Sequence, residues 1–181
     1  MRVRKMLPVA ALCGLAVAAC VPNASPGDAP APGVSEANAR ILDAGGRQLA
    51  LATAAQRNDG LRVSVSASGL RAGVYGVHVH TVGQCGAPDF ASAGPHWNPT
   101  MRQHGAQNPQ GPHRGDLPNL IVGANGQGEI AFTIPDARLS GGVGGMLDAD
   151  GAAIMVHAQA DDYRTDPSGN SGARIGCGVF G

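Results

Sequence analysis

Residues 61–67 read Leu-Arg-Val-Ser-Val-Ser-Ala, a strict alternation of apolar and polar side chains. Because successive side chains of a β-strand point to opposite faces, this pattern predicts a strand with one buried face. Comparable short runs lie at 74–81, 120–123, 129–134, 152–158 and 173–180, with weaker ones at 41–42 and 49–53. Glycine-containing turn sequences separate many of them, at 44–46, 58–60, 125–128 and 148–151. The sequence therefore predicts an all-β fold, a sandwich or a barrel of short strands.

The composition agrees with one turn-rich β domain. The chain has 181 residues, of which 28 are glycine and 13 are proline, and aromatic residues make up only 3%. Glycine and proline interrupt helices and favour turns, while the 43% of apolar residues can supply a core. Two irregular segments, 82–118 and 159–172, break the strand pattern. Long irregular segments inside compact domains are usually functional or disordered, and the histidines beside both of these favour a function.

The first nineteen residues read as a targeting segment. Met1–Lys5 is basic, and Met6–Ala19 is apolar but too short to span a bilayer as a mature helix. Val17–Cys20 resembles the lipobox of bacterial lipoproteins, in which Cys20 becomes the lipid-modified first residue. The alternative is an ordinary secretory signal cleaved nearby. Both interpretations predict export.

Residues 20–35 are rich in proline, alanine and glycine and predict a flexible tether, so the folded domain should span 36–181. We expect a lipid anchor in the bacterial cell envelope, facing the periplasm. Val21 after Cys20 favours the outer membrane over the inner one. Loss of residues 1–19 leaves ten arginines and no lysine against thirteen acidic residues. The resulting net charge of −3 argues against nucleic-acid binding.

Cys85 and Cys177 are the two cysteines left after Cys13 is removed with the targeting segment and Cys20 is modified. A single pair in an oxidising compartment predicts a disulfide. It would close a loop of about 90 residues and contribute roughly 4–5 kcal/mol in the chain-entropy model. Free thiols or metal ligands are the alternative, which the lack of a Cys-x-x-Cys spacing disfavours.

The six histidines of the chain fall into two groups. His78 and His80 are two residues apart on a predicted strand, so both imidazoles project from one face, and His157 on another strand can join them. A group of strand imidazoles suits copper. His96, His104 and His113 are spaced by eight and nine residues in the long irregular segment, and Asp116 follows three residues later. Three nitrogens and one carboxylate oxygen wrapped around one ion suit zinc.

Several ordered motifs extend this pattern over nearly the whole predicted domain. They are 76–80 (GVHVH), 94–99 (GPHWNP), 104–105 (HG), 113–117 (HRGDL), 156–162 (VHAQADD) and 169–179 (GNSGARIGCGV). Together and in this order, they resemble copper/zinc superoxide dismutase. The resemblance implies a Greek-key sandwich or flattened barrel of about eight antiparallel strands with two long functional loops.

The resemblance also implies a set of site residues. Copper would be bound by His78, His80, His96 and His157, and zinc by His96, His104, His113 and Asp116, with His96 shared. Cys85 and Cys177 match the family disulfide. Arg174 matches the arginine that docks superoxide, and Asp161 matches the aspartate that hydrogen-bonds one ligand of each metal. A surface salt bridge for Arg174 and a loop cap for Asp161 are the alternatives.

The activity so implied is conversion of superoxide to O₂ and hydrogen peroxide by copper redox cycling, with zinc supporting the bridging histidine. In it His96 takes up a proton and later delivers it. A dismutase-like module that stores or delivers copper is the main alternative, and a zinc hydrolase is disfavoured because no carboxylate base is evident. The sequence leaves open whether the protein is a monomer or a homodimer.

Overall fold

The computed structural model describes residues 35–181, which form nine strands and one short 3₁₀ turn at Ala91–Ala93. The strands are β1 (Glu36–Leu42), β2 (Gln48–Arg57), β3 (Gly60–Ala67), β4 (Gly73–Tyr75), β5 (Val77–His80), β6 (Leu120–Val122), β7 (Gly128–Pro135), β8 (Ala153–His157) and β9 (Arg174–Val179). The predicted targeting segment 1–19, the lipid-modified Cys20 and the tether up to residue 34 lie outside the described residues and stay predictions. Within residues 35–181, none of the helical structure has the length and apolarity that a bilayer crossing requires.

Seven strands form one antiparallel sheet in the order β5-β8-β9-β1-β2-β3-β7, and β4 pairs with β6 in a second, two-stranded sheet. The pairing of β9 with β1, and of β3 with β7, joins strands that are distant in sequence. The large sheet curls around one main apolar cluster. The all-β prediction is confirmed.

The alternation that predicted β3 is also its burial pattern. Leu61, Val63 and Val65 are buried, whereas Arg62 and Ser66 are exposed. The predicted turn at 58–60 links β2 to β3, whose end residues pair as Arg57 with Gly60. Here the local pattern was sufficient because one face of the strand lies on the core and the other lies in water.

Two strands near the start are longer than the sequence pattern predicted. The inward residues of β1 are Ala37, Ala39 and Ile41, and β2 is similarly rich in alanine. Alanine is a weak strand former and gives little hydrophobic contrast. These strands are fixed by their seven-residue ladder with each other, which a local pattern does not reveal.

The single strand predicted at 74–81 is divided at Gly76 into β4 and β5. The N–H of Gly76 donates to the carbonyl of Gln159 at 2.7 Å, and the N–H of His157 donates to the carbonyl of Gly76 at 2.9 Å. At this residue the chain stops pairing with β6 and begins pairing with β8. The change of partner brings the β5 histidines next to the end of β8.

Strand β8 is buried on both faces. Ile154 and Val156 belong to the main core, whereas Met155 packs in a second cluster with Phe90 and Cys177. The segment after β5 therefore folds back over the outer face of β8 and β9. This segment carries His96, so the fold brings it to the strand histidines.

Candidate metal centre

Four buried imidazoles, those of His78, His80, His96 and His157, form a cluster that we name the copper group after the metal that the resemblance implies. The first two lie on β5, His157 ends β8, and His96 lies in the segment after β5, where it forms an isolated β-bridge with His80. The ring centroids of His78 and His96 are 4.0 Å apart, and those of His78 and His157 are 4.7 Å apart. One nitrogen from each of the four lies within 4.8 Å of the others.

Three imidazole nitrogens of this group are buried and have no hydrogen-bond partner among the described residues: Nδ1 of His78, Nε2 of His80 and Nε2 of His157. Buried polar atoms are normally paired, so their convergence fits a metal ion. The opposite nitrogen of each ring is bonded. His80 Nδ1 lies 2.8 Å from the Gly94 carbonyl, and His157 Nδ1 lies 3.2 Å from the Gly172 carbonyl. A proton on these Nδ1 atoms leaves the Nε2 lone pairs free.

The zinc group, defined as His96, His104, His113 and Asp116, surrounds one carboxylate oxygen. Asp116 Oδ1 lies 2.9 Å from His96 Nδ1, 3.0 Å from His104 Nδ1 and 3.2 Å from His113 Nδ1. The Nδ1 atoms of His113 and His96 are 3.3 Å apart. A tetrahedral site with bonds of about 2.0–2.1 Å has edges of about 3.3–3.4 Å, so these four atoms fit a zinc ion.

The Asp116 carboxylate is positioned by the chain around it. Its Oδ2 accepts from the N–H groups of Gly105 and His113, both at 2.9 Å, which leaves Oδ1 facing the imidazoles. His78 also approaches this group, but its Nε2 is bonded to Asp161. His113 is therefore the better fourth donor.

Burial lowers the pKa values of the copper-group histidines. In the copper group it lowers the pKa of His78 to about 3, of His80 to about 2 and of His157 to about 4. These side chains are neutral at physiological pH, and neutral imidazole is the form that binds a metal. Burial lowers the pKa of His96 as well.

The zinc group behaves differently because of its carboxylates. Burial acts to lower the pKa of His104, but hydrogen bonds to Asp116 and Asp161 outweigh it and raise the pKa to about 9. Burial acts to raise the pKa of Asp116, yet hydrogen bonds from His104, His113 and His96 hold it well below its usual range. The raised pKa of His104 favours its protonated form between Asp116 and Asp161, and an ion bound at its Nδ1 would displace a proton.

Asp161 connects the two groups. Its Oδ2 lies 2.7 Å from His78 Nε2, and its Oδ1 lies 3.0 Å from His104 Nε2. Its main chain is held by Asn119, whose side-chain amide donates to the Asp161 carbonyl at 2.9 Å and accepts from its N–H at 2.8 Å. No local sequence pattern indicated this role of Asn119, because the contact joins residues 42 positions apart.

Gly169 begins the 169–179 motif, but its contact with Asp161 was not predicted from the sequence. A Cβ added there would lie 1.9 Å from Asp161 Oδ1 and 2.6 Å from His104 Nε2, and its φ of +63° also favours glycine. Asp161 can contact both histidines only because this side chain is absent.

We expect Gly169→Ala to displace Asp161 and to weaken metal affinity by about 10–100-fold, as is usual when the hydrogen-bond partner of a ligand is lost. Competition with a chromophoric chelator measures this affinity. Gly141→Ala is the matched control, because Gly141 has a φ of +75° but nothing within 4 Å of its Cβ position. Equal losses in the two variants would contradict the prediction and point to backbone strain alone.

Arg174 lies beside the copper group at the start of β9. Its Nη1 donates to the Phe90 carbonyl at 2.7 Å and its Nη2 donates to the Gly94 carbonyl at 2.8 Å. The predicted disulfide between Cys85 and Cys177 is present. It joins the segment that contains both acceptors to β9 and thereby supports this arrangement. Arg174, His80 and His157 line an open cleft of about 780 Å³. The salt-bridge alternative for Arg174 receives no support among the described residues.

Comparisons with known proteins agree with this geometry. A family model described as copper/zinc superoxide dismutase (SODC) matches residues 49–180. The superoxide dismutase-like protein YojM of Bacillus subtilis is 50% identical over 125 residues, which are 68% of this chain and 64% of that protein, just under two thirds of its length. The copper-zinc superoxide dismutase of Deinococcus radiodurans is 37% identical over an alignment 191 positions long, covering 99% of this chain and 97% of that protein.

A solved structure gives the same result for the fold. The crystal structure of a double mutant of a superoxide dismutase-like protein from Bacillus subtilis is similar with a TM-score of 0.74 and 44% identity, covering 78% of this chain and 95% of that one. The family uses copper and zinc, and the histidine groups provide sites that could bind them. The chain belongs to the copper/zinc superoxide dismutase family of oxidoreductases.

Proposed function

We propose that the protein converts superoxide to O₂ and hydrogen peroxide, with copper bound by His78, His80, His96 and His157 and zinc by His96, His104, His113 and Asp116. The single observation that carries the proposal is the convergence of buried, unpaired imidazole nitrogens beside Arg174 in an open cleft. A closed structural metal site would not need this access.

When bound, copper supplies the one-electron chemistry, in which two superoxide ions and two protons give one O₂ and one hydrogen peroxide. Arg174 donates two of its five N–H groups to carbonyls and keeps the others for an anion. Its position is fixed before the anion arrives, so little reorganisation is needed.

His96 belongs to both groups, with its Nδ1 beside Asp116. We propose that it holds a proton at Nε2 during part of the cycle and delivers it to the product. Its Nδ1 contact keeps the ring in place while Nε2 changes protonation. Asp161 orients His78 and His104, which border His96 on either side.

A copper-storing or copper-delivering protein is the second candidate, because a relative with 50% identity carries the name superoxide dismutase-like. The two functions are distinguished by a superoxide disproportionation assay on the purified chain after loading with copper and zinc. The metal-free protein and free copper at the same concentration are the controls, and metal content is measured on every sample. Copper-dependent turnover above free copper supports the dismutase. Full loading of both metals without turnover would reject it in favour of the carrier.

We further propose that the protein is exported and anchored by a lipid on Cys20 to the bacterial envelope, on the periplasmic side of the outer membrane. The support is the sequence of residues 1–20. We expect the wild type in the membrane fraction. We expect the Cys20→Ala variant either in the soluble fraction or as a longer precursor that keeps residues 1–19. Metabolic labelling with a fatty acid provides the direct measurement, and an unlabelled wild type would refute the anchor.

A further inference from the structure

Tyr163 has an unusual backbone conformation for a bulky residue. Its φ is +61°, in the left-handed region that such residues rarely adopt. It lies in the second irregular segment, two residues after Asp161. A residue in a sparsely populated conformation persists only when the contacts around it hold it there. Tyr163 makes such contacts with its N–H, its hydroxyl and its carbonyl.

The N–H of Tyr163 turns back to the Asp161 carboxylate. It donates to Asp161 Oδ1 at 2.6 Å, the same oxygen that lies 3.0 Å from His104 Nε2. The other oxygen, Oδ2, lies 2.7 Å from His78 Nε2. A hydrogen bond to an ionised acceptor is short and strong. The backbone of Tyr163 therefore helps to fix the rotation of this carboxylate between the two histidines.

The hydroxyl of Tyr163 reaches the same aspartate through a second residue. It accepts from the N–H of Asn119 at 2.8 Å. The side chain of Asn119 in turn bonds to the main-chain N–H and carbonyl of Asp161. These contacts close a ring of three residues, Asp161, Tyr163 and Asn119. The position of the carboxylate thus depends on a hydroxyl whose own partner is a main-chain N–H.

The carbonyl of Tyr163 holds the segment that carries His104. It accepts from the N–H of Gln107 at 2.9 Å, and a Cβ added at Gly105 would lie 2.2 Å from this oxygen. Nearby, Asp166 Oδ1 accepts from the N–H of His104 at 2.6 Å. The second irregular segment therefore fixes the main chain of His104 while Asp161 contacts its ring.

We infer that Tyr163 is a positioning residue for both metal groups, because its hydroxyl fixes the Asp161 carboxylate through Asn119. That carboxylate contacts His78 of the copper group and His104 of the zinc group. The inference rests on the metal assignments of the proposed function. Phenylalanine at position 163 would keep the ring but leave the N–H of Asn119 without this acceptor. The carboxylate then gains freedom to rotate, and both histidines lose part of their orientation.

The test compares Tyr163→Phe with Tyr75→Phe in the full chain. Tyr75 is the only other tyrosine of the chain, and its hydroxyl also bonds to the main chain, donating to the Arg71 carbonyl at 3.0 Å. Each variant therefore removes one oxygen atom and one hydrogen bond of the same kind. Cobalt(II) is the probe for the zinc group, because its visible absorption depends on the geometry of its ligands.

We expect Tyr163→Phe to weaken the cobalt affinity of the zinc group about tenfold, as measured by competition with a chelator. This is the lower end of the usual range of about 10–100-fold, because the hydroxyl acts one residue further from the ion than Asp161 does. We also expect the cobalt absorption of Tyr163→Phe to change at saturating metal, which a loss of stability alone would not cause. Tyr75→Phe should leave the affinity and the absorption unaltered.

Two outcomes would overturn the inference. One is an equal effect of the two substitutions. The other is a lower thermal stability of Tyr163→Phe with the wild-type cobalt affinity and absorption, which would leave Tyr163 a structural role only. If the wild type takes up neither cobalt nor zinc, the metal assignment of the proposed function fails instead. Amide hydrogen exchange of the metal-free protein then decides the role of the hydroxyl: Tyr163→Phe should expose the N–H groups of Asn119 and Asp161 to exchange, and unchanged protection would refute it.

Discussion

Replacement of His80 by alanine is expected to remove copper and to lower dismutase activity by at least about a hundredfold. Loss of a hydrogen-bond partner of a metal ligand costs about 10–100-fold, so loss of the ligand itself should reach at least the upper end. A substitution at His80 disturbs the zinc group less than one at His78. His78 contacts Asp161, which also contacts His104, whereas His80 is hydrogen-bonded to the Gly94 carbonyl.

The His80→Ala variant should lose copper but not zinc, and this difference between the two metals tests the assignment. We expect His80→Ala to retain zinc, because His80 is not within the zinc group. His113→Ala is the matched control, since His113 contacts Asp116 and His96 on the zinc side. Metal analysis and activity are measured on both variants, with thermal unfolding to verify that each one folds. If His80→Ala kept a full complement of copper and normal activity, the copper assignment would be wrong.

Replacement of Cys85 by serine is expected to lower the free energy of unfolding by about 4–5 kcal/mol. The disulfide joins residues separated by 92 positions, so it closes a long loop in the unfolded chain. Small domains have total stabilities of about 5–15 kcal/mol, which makes this loss a large fraction. Denaturant unfolding monitored by circular dichroism provides the measurement.

The same variant should also weaken substrate capture. The segment joined by Cys85 carries the Phe90 and Gly94 carbonyls that hold Arg174. A looser segment allows the guanidinium to leave its position, so we expect KM to rise more than kcat falls. Cys85→Ser/Cys177→Ser removes the complication of a buried lone thiol, and the reduced wild type should behave alike. Reduced wild type with unaltered stability and KM would contradict both effects.

The features that the sequence predicted are those with a local pattern. His78 and His80 share a face because they are two residues apart, and β3 follows from its alternation. The four members of the zinc group lie within 21 residues of one another and are adjacent in the structure. The two long loops were visible as interruptions between strands.

The features that the sequence did not predict depend on contacts between distant segments. Asn119 and Gly169 support Asp161 from two different parts of the chain. Asp148 reaches the cleft only because of the path between β7 and β8. Gly76 divides a predicted strand since its bonds go to Gln159 and His157. Gly76 and Gly169 begin sequence motifs, yet none of the four residues lies in a local pattern that indicates these long-range contacts.

The copper and zinc groups differ in what holds their donors. Three of the copper donors lie on strands of the main sheet, whose backbone ladder positions them whether or not an ion is present. All four zinc donors lie between β5 and β6, a stretch whose only regular element is a three-residue turn. His96 and Asp116 are already bridged to β5, at His80 and His78, and an ion bound there would cross-link His104 and His113 to them. We therefore expect an ion bound by the zinc group to raise the free energy of unfolding, whereas the positions of the copper donors depend mainly on the sheet.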